Sequence, residues 1–265
     1  MRFTIENKSK QEVFVAIFQL LKNWSSHINM HFEKDRLYIQ SMDKSHVCLA
    51  DIEIKCQWFA NYDCSTNNKV SVDSNHFAIL MNYALKHDIL ELKFEDESEP
   101  DKLYINFLNN KEIDKNKEKK GSFEHFFELN LIEVEEDSLG IPAVDYEVDF
   151  TIETKKLVEV LSELNTFGQD LNIKCNEDVI ELNASGESAK LKVNIPIEEL
   201  NEYAIAEGDE LNISFSLTHL CKMCCSIKLG LTVDVSLSSE YPMSLKYNLG
   251  DESMVSFYVA PKVSE

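Results

Sequence analysis

Apolar residues recur at helical spacing in two distant places. Val13, Phe14, Ile17, Phe18, Leu20 and Leu21 form one stripe, and Leu157, Val160, Leu161 and Leu164 form the other. The same four residues precede both stripes, Phe3-Thr4-Ile5-Glu6 and Phe150-Thr151-Ile152-Glu153. Such self-similarity predicts two copies of one structural unit. The pattern continues beyond the stripes. Asp35 to Asp43 aligns with Asp178 to Gly186, each a strand running into a turn. Val70 to Val72 and Leu211 to Phe215 each lead into a second helix-like stretch. One stretch carries Phe77, Leu80, Met81 and Ala84, the other Leu217, Leu220, Met223 and Cys224. Alternating strands then follow in both copies, Ile89 to Phe94 and Leu103 to Phe107, and Leu231 to Leu237 and Met243 to Tyr247. Each half therefore reads as strand, helix, several strands, helix, several strands. The halves span 1–131 and 147–265, with a connector at 132–146.

Composition agrees with two packed domains. The chain has 265 residues, 44% of them apolar, with only 7 Gly and 5 Pro, which excludes a linker-rich or disordered protein. Its N-terminus shows no apolar signal core, and Val13 to Leu21 is too short to span a bilayer, so a soluble intracellular protein without a membrane partner is expected. The odd count of seven cysteines suggests reduced thiols. Cys221-Lys222-Met223-Cys224-Cys225 lacks a second pair at zinc spacing and reads as core packing, so neither metal nor cofactor is implied. The four helix-like stretches and their flanks carry Lys8, Lys10, Lys22, Lys86, Lys155, Lys156, Lys222 and Lys228 within a chain of net charge −21. These lysines either make a mildly positive face suited to phosphate or are ordinary solvated helix surface. An enzyme is disfavoured. With 47 acids, random carboxylate pairs are expected, and Asp96, Glu97, Glu99 and Asp101 read as a solvated turn. Phosphate-cradling glycine loop, HExxH and nucleophile elbow are all missing. The basic run Lys115 to Lys120 reads as a solvated loop in preference to an import signal or a DNA contact.

Three further segments carry a resemblance. They are Gln40-Ser41-Met42-Asp43-Lys44-Ser45-His46-Val47-Cys48-Leu49, Leu139-Gly140-Ile141-Pro142-Ala143-Val144-Asp145-Tyr146 and Tyr258-Val259-Ala260-Pro261-Lys262. In this order on a duplicated chain, they resemble the eukaryotic-type DNA sliding clamps, the proliferating cell nuclear antigen family. The resemblance covers essentially the whole chain. It implies an α+β DNA-clamp fold, two similar domains each with helices on one face of antiparallel sheets, assembling into a ring. It implies a homotrimer without catalytic activity that encircles duplex DNA in the nucleus, or wherever replication occurs. A clamp-loader ATPase would open the ring. DNA polymerase and other proteins would be tethered through a motif of glutamine, an aliphatic residue and paired aromatics. The pocket for that motif would comprise Met42, His46, Val47, Leu49, Leu139, Ile141, Pro142, Tyr146, Pro242, Tyr258, Ala260, Pro261 and Lys262, with backbone groups of Ala260 near the glutamine. The eight lysines would face DNA. Edge-to-edge pairing between chains would use Phe126 to Leu131, including Leu129, and Ile180 to Asn183, including Ile180 and Leu182. Phe127, Leu164 and Phe167 would either supply the apolar part of that joint or fill the chain's own core.

Departures from the family pattern also stand out. Matching inner-helix positions are neutral or acidic here, namely Val15, Ala16, Ala78, Met81, Glu159, Ser162 and Cys225, although Lys22 is retained. Fewer phosphate contacts predict weaker DNA affinity and a shallower salt dependence. Glu177 stands where the family often carries a modified lysine. A subunit of a heterotrimeric checkpoint-type clamp, or an adaptor that binds partner motifs without encircling DNA, are the alternative readings.

Overall fold

The structure, a computed structural model, describes residues 1–94, 101–109, 123–134 and 139–262. Asp96, Glu97, Glu99 and the run Lys115 to Lys120 lie outside the described residues, while Asp101 is exposed. The chain divides into two compact units. The first comprises Met1–Ser41, Ile52–Ser138 and Gly250–Ser253, and the second Met42–Asp51, Leu139–Leu249 and Met254–Glu265.

The first half of the chain supplies β1 (Arg2–Ile5), α1 (Lys8–Leu21), β2 (His27–Phe32), β3 (Arg36–Met42), β4 (Cys48–Lys55), β5 (Asn61–Asp63), β6 (Asn68–Asp73), α2 (Ser74–Met81), β7 (Ile89–Lys93), β8 (Lys102–Leu108) and β9 (His125–Asn130). The second supplies β10 (Val148–Glu153), α3 (Thr154–Phe167), β11 (Asp170–Cys175), β12 (Val179–Ser185), β13 (Lys190–Pro196), β14 (Glu202–Ile205), β15 (Leu211–Ser216), α4 (Leu217–His219), β16 (Thr232–Leu237), β17 (Met243–Gly250) and β18 (Ser253–Val259). In the first unit the strand orders are β5-β1-β7-β8-β9 and β4-β3-β2-β6. In the second they are β14-β10-β16-β17-β18 and β13-β12-β11-β15. Adding nine to each strand number of the first unit yields the second, so the duplication seen in the sequence extends to every strand pairing. The repeated Phe-Thr-Ile-Glu marks the same place in each copy. Phe3 on β1 and Phe150 on β10 both point into a core, and a helix starts just beyond each strand.

Alternation explains the sheets. β3 and β12 bury every second residue, as strands with one face on a core must. α1 begins after Asn7, whose side chain accepts the Lys10 amide as an N-cap. It buries Phe14, Ile17 and Phe18 against Phe3, Trp58 and Phe77, with edge-to-face ring pairs at 6.0 Å (Phe3–Phe14), 4.9 Å (Phe14–Phe18) and 4.6 Å (Phe18–Phe77). α1 also lies on α2, fixed by Gln19 Nε2 donating to the Ala78 carbonyl at 2.7 Å. In the second unit α3 buries Leu157, Leu161 and Leu164 and packs on β10, β12, β13 and β16. Gly186 follows β12 because a Cβ there would come 2.2 Å from the Phe167 carbonyl oxygen, at the end of α3.

The second helix of the second half departs from simple periodicity. α4 has only three residues and continues as a π-turn over Leu220–Cys224, with the Cys225 amide donating back to the Leu220 carbonyl at 3.1 Å. Cys224 and Cys225 are buried in this turn, and Cys175 is buried on β11. Burial pushes the Cys175 thiol up to about 12, which leaves almost no thiolate at neutral pH. Cys175 should therefore resist iodoacetamide at pH 8 in the folded chain and react fully in denaturant, as read by peptide mass spectrometry.

Candidate functional site

Four separated segments of the second unit converge on one apolar pocket of ≈ 330 Å³. The loop between β3 and β4 gives Met42, His46, Val47, Cys48 and Leu49. The connector gives Leu139, Gly140, Ile141, Pro142, Val144 and Tyr146. The turn before β17 gives Tyr241 and Pro242, and the end of β18 gives Tyr258 and Ala260. Eleven of these residues belong to the group set out from sequence. Cys48, Gly140, Val144 and Tyr241 were missed, although each is adjacent in sequence to a residue in that group or falls within its span. Pro261 and Lys262 do not line the pocket. The Lys262 amide donates to the Ser214 carbonyl at 2.8 Å and its ammonium pairs with Asp170 at 2.5 Å, which turns the side chain toward β11 and β15. Of the Ala260 backbone groups, the N–H is donated to the Val47 carbonyl at 2.8 Å.

The pocket walls are held by polar anchors outside the apolar lining. Asp43, almost fully buried, organises the β3–β4 loop. Its Oδ1 accepts the amides of Val47 at 2.8 Å and Cys48 at 2.7 Å, and its Oδ2 accepts the Ser45 amide at 3.0 Å and the Ser45 hydroxyl. These bonds impose the left-handed backbone of His46, φ 57°. At the far end of the connector, Glu147 Oε1 accepts the Ser238 hydroxyl at 3.0 Å and the Ser239 amide at 2.7 Å, which ties the start of β10 to the Tyr241–Pro242 turn. Burial pushes the phenols of Tyr146 and Tyr258 up, so both present neutral hydroxyls.

Burial disfavours the ionised Asp43, but hydrogen bonds from the Ser45 hydroxyl and the Cys48, Ser45 and Val47 amides outweigh it and hold the carboxyl below its usual range. The sign follows directly. A depressed carboxylate contributes stability that is complete above its unfolded value, near 4, and is lost as pH falls through the folded one. Protection of the Val47 and Cys48 amides from exchange should thus gain nothing from Asp43 between pH 5 and 8, and lose its contribution below about pH 4. Asp43→Ala should remove that protection throughout, at a cost of roughly 2 kcal/mol for orphaning buried donors. Amide exchange read by mass spectrometry checks both.

The lysines do not form one uniform set. Lys8 Nζ binds the Gln11 side chain at 3.1 Å and the carbonyls of Ala84 and His87 at 3.2 and 2.9 Å. Lys10 Nζ binds the Trp58 carbonyl and Asp251, both at 2.7 Å. Both ammonium groups are consumed internally. Lys22 bonds Gln19, Lys155 lies 3.9 Å from Glu159 and Lys156 3.2 Å from Glu199, all at exposed positions. Lys86, Lys222 and Lys228 are exposed as well. Among the neutral positions read as lost phosphate contacts, Val15, Ala16, Ala78, Met81 and Cys225 are buried, so they serve packing and leave no gap in a charged surface. Glu159 and Ser162 are exposed.

The proposed joint residues also separate. Leu164, Ile180 and Leu182 are core residues of the second unit. β12 pairs with β11 on one side and β13 on the other, so it has no edge to offer, and β13 is the outer strand. In the first unit β9 is the outer strand. Phe127 is half-buried against Tyr83 and Phe107 at 5.4 and 5.7 Å, and Leu129 is half-buried opposite Leu103. Phe126 and Phe123 on this edge are 66% and 81% exposed, and Phe167 ends α3 exposed.

Two nine-stranded units, each with helices laid on antiparallel sheets, define the DNA sliding-clamp architecture, a non-enzymatic class of processivity factor in DNA replication. The chain belongs to the proliferating cell nuclear antigen family. Its residues 5–138 match the family's N-terminal domain and residues 140–262 its C-terminal domain. It is 28% identical over 258 residues to proliferating cell nuclear antigen of Chaetomium thermophilum, covering 96% of this chain and 95% of the relative. It is 25% identical over 261 residues to proliferating cell nuclear antigen 2 of Plasmodium falciparum, covering 96% and 97%. A crystal structure of the PCNA2–PCNA3 complex from Sulfolobus tokodaii superposes with a TM-score of 0.83 at 22% identity over 99% of both chains, a likeness of fold.

Proposed function

We propose that the chain forms a trimeric ring around duplex DNA and tethers replication and repair proteins through the pocket under its connector. In a nucleated cell that places it in the nucleus, where a loader ATPase opens the ring. The observation that carries the reading is the convergence of four distant segments on one apolar pocket with Leu139 and Ile141 exposed at its mouth. A partner motif of glutamine, an aliphatic residue and paired aromatics fits such a pocket, since a few large apolar anchors carry most of the energy of this kind of contact. Subunits join through β9 of one chain and β13 of the next, the outer strands of their sheets, and closure leaves neither edge open to aggregation. Lys22, Lys86, Lys155, Lys156, Lys222 and Lys228 face the phosphates. With so few contacts, and with Lys155 and Lys156 shared with Glu159 and Glu199, the ring holds DNA by topology more than by affinity. A hetero-oligomeric ring is the second reading, favoured by the neighbour of like fold, which is a complex of two different clamp chains. Light scattering across a dilution series tests the assembly. A mass about three times 30.5 kDa supports a self-sufficient ring, and a persistent single-chain mass contradicts it.

A further inference from the structure

Behind the pocket, His219 of α4 reaches the β3–β4 loop. Its Nε2 lies 3.2 Å from the Ser45 hydroxyl and 3.7 Å from Asp43 Oδ2, and its Nδ1 lies 2.8 Å from the Ser216 hydroxyl. The hydrogen bonds order themselves. The Ser45 hydroxyl donates to Asp43, so its lone pairs accept from His219 Nε2–H, and the neutral ring accepts from Ser216 at Nδ1. Asp43 in turn holds the Val47 and Cys48 amides, and Met42, His46, Val47 and Cys48 line the pocket.

We propose that His219 is a positioning residue for the partner pocket, a latch that tightens the β3–β4 loop when its ring is protonated. A proton on Nδ1 turns the bond with Ser216 around, so that the ring donates to the hydroxyl. The same proton places a full positive charge beside the Asp43 carboxylate without moving a heavy atom. Among the described residues, the charged group in ion-pair contact with the ring is Asp43. Asp43, Lys44 and His46 lie on the loop, and Lys222 lies on the following turn. Asp170, opposite Ser216 in the β11–β15 pairing, is already bound by Lys262. Asp43 is therefore the carboxylate placed to answer the proton. The proposal rests on the pocket reading for its consequence, since a firmer loop presents Val47 and Met42 to an incoming partner with less disorder to remove.

The test uses the full chain and a synthetic histidine-free peptide carrying glutamine, an aliphatic residue and paired aromatics. Affinity is titrated between pH 8 and 6, where a histidine ordinarily changes charge. Amide exchange at Val47 and Cys48 is followed without peptide over the same range. The native chain should bind about two- to fivefold more tightly at pH 6 than at pH 8, the scale of a partly exposed ion pair. Beyond the constant contribution of Asp43 itself, the protection factors of its two amides, that is, the slowing of exchange relative to an unstructured peptide at the same pH, should rise in step. His219→Gln, which keeps a donor for Ser45 but cannot be protonated, should abolish the protection step and most of the affinity step. Ser45→Ala, at an exposed site, should at least halve both steps. A protection step of native size in His219→Gln overturns the latch. A chain that shows the protection step in native form only, yet never binds peptide, upholds the latch and refutes the pocket reading.

Discussion

Ile141→Asp should cost the pocket most of its affinity for a peptide carrying the glutamine, aliphatic and paired-aromatic motif. Ile141 stands on the connector and lines the pocket, and it is partly open to solvent. Putting an aspartate there removes an apolar wall and forces a carboxylate to be desolvated by the incoming aromatics. The combined loss is about 2 to 3 kcal/mol, roughly 30- to 150-fold in dissociation constant. Because the connector takes part in no strand at this position, the thermal midpoint should stay within a degree or two of the native value. Isothermal titration and calorimetric melting separate the two effects. Native affinity in the variant would remove the pocket from the account.

Phe123→Asp combined with Phe126→Asp should convert the proposed trimer into single chains. Both rings stand exposed on or beside β9, the outer strand of its sheet, so the substitutions cost the isolated unit little. In an assembled ring the same positions would place two desolvated carboxylates per joint against the next chain. Unpaired charges at a closed interface cost several kcal/mol each, enough to bring dissociation into the micromolar range. Sedimentation velocity at about 1 μM should then show one species near 30.5 kDa with unchanged circular dichroism. A variant that keeps the native mass would show that β9 lies outside the joint.

The duplication was legible before any coordinates because each copy repeats both a helical stripe and the strand ahead of it. Phe3 and Phe150 occupy equivalent strands, and all nine strands of one unit recur in the other with the same pairing. The pocket residues came from the family resemblance and not from local pattern, and eleven of the residues so named line one cavity. What escaped depends on contacts distant in sequence. Nothing local to Lys10 foretells Asp251, 241 residues away, or to Lys8 the carbonyl of Ala84, 76 residues away. β12 was given an edge by the family resemblance, and its own alternation could not check this, since it reports which face is buried and is silent about neighbours in the sheet. Its hydrogen bonds to both β11 and β13 decide the matter. Val15, Ala16, Ala78 and Met81 read as missing positive charge, whereas the packing of α1 on α2 requires small and apolar side chains there. The π-turn after α4 has the same character. Its apolar and sulfur side chains fit a regular helix equally well, and only the Cys225–Leu220 hydrogen bond reveals the extra residue.

Retention on closed circular DNA tests the central claim most directly. The chain, loaded with a clamp-loader ATPase and ATP onto a nicked circle, should stay bound through a gel-filtration column at about 0.3 M salt, where so few lysines cannot hold duplex by charge alone. Cutting the circle once should release it within minutes, as a ring slides off the ends. Equal loss from circle and linear DNA, or equal retention on both, would contradict encirclement.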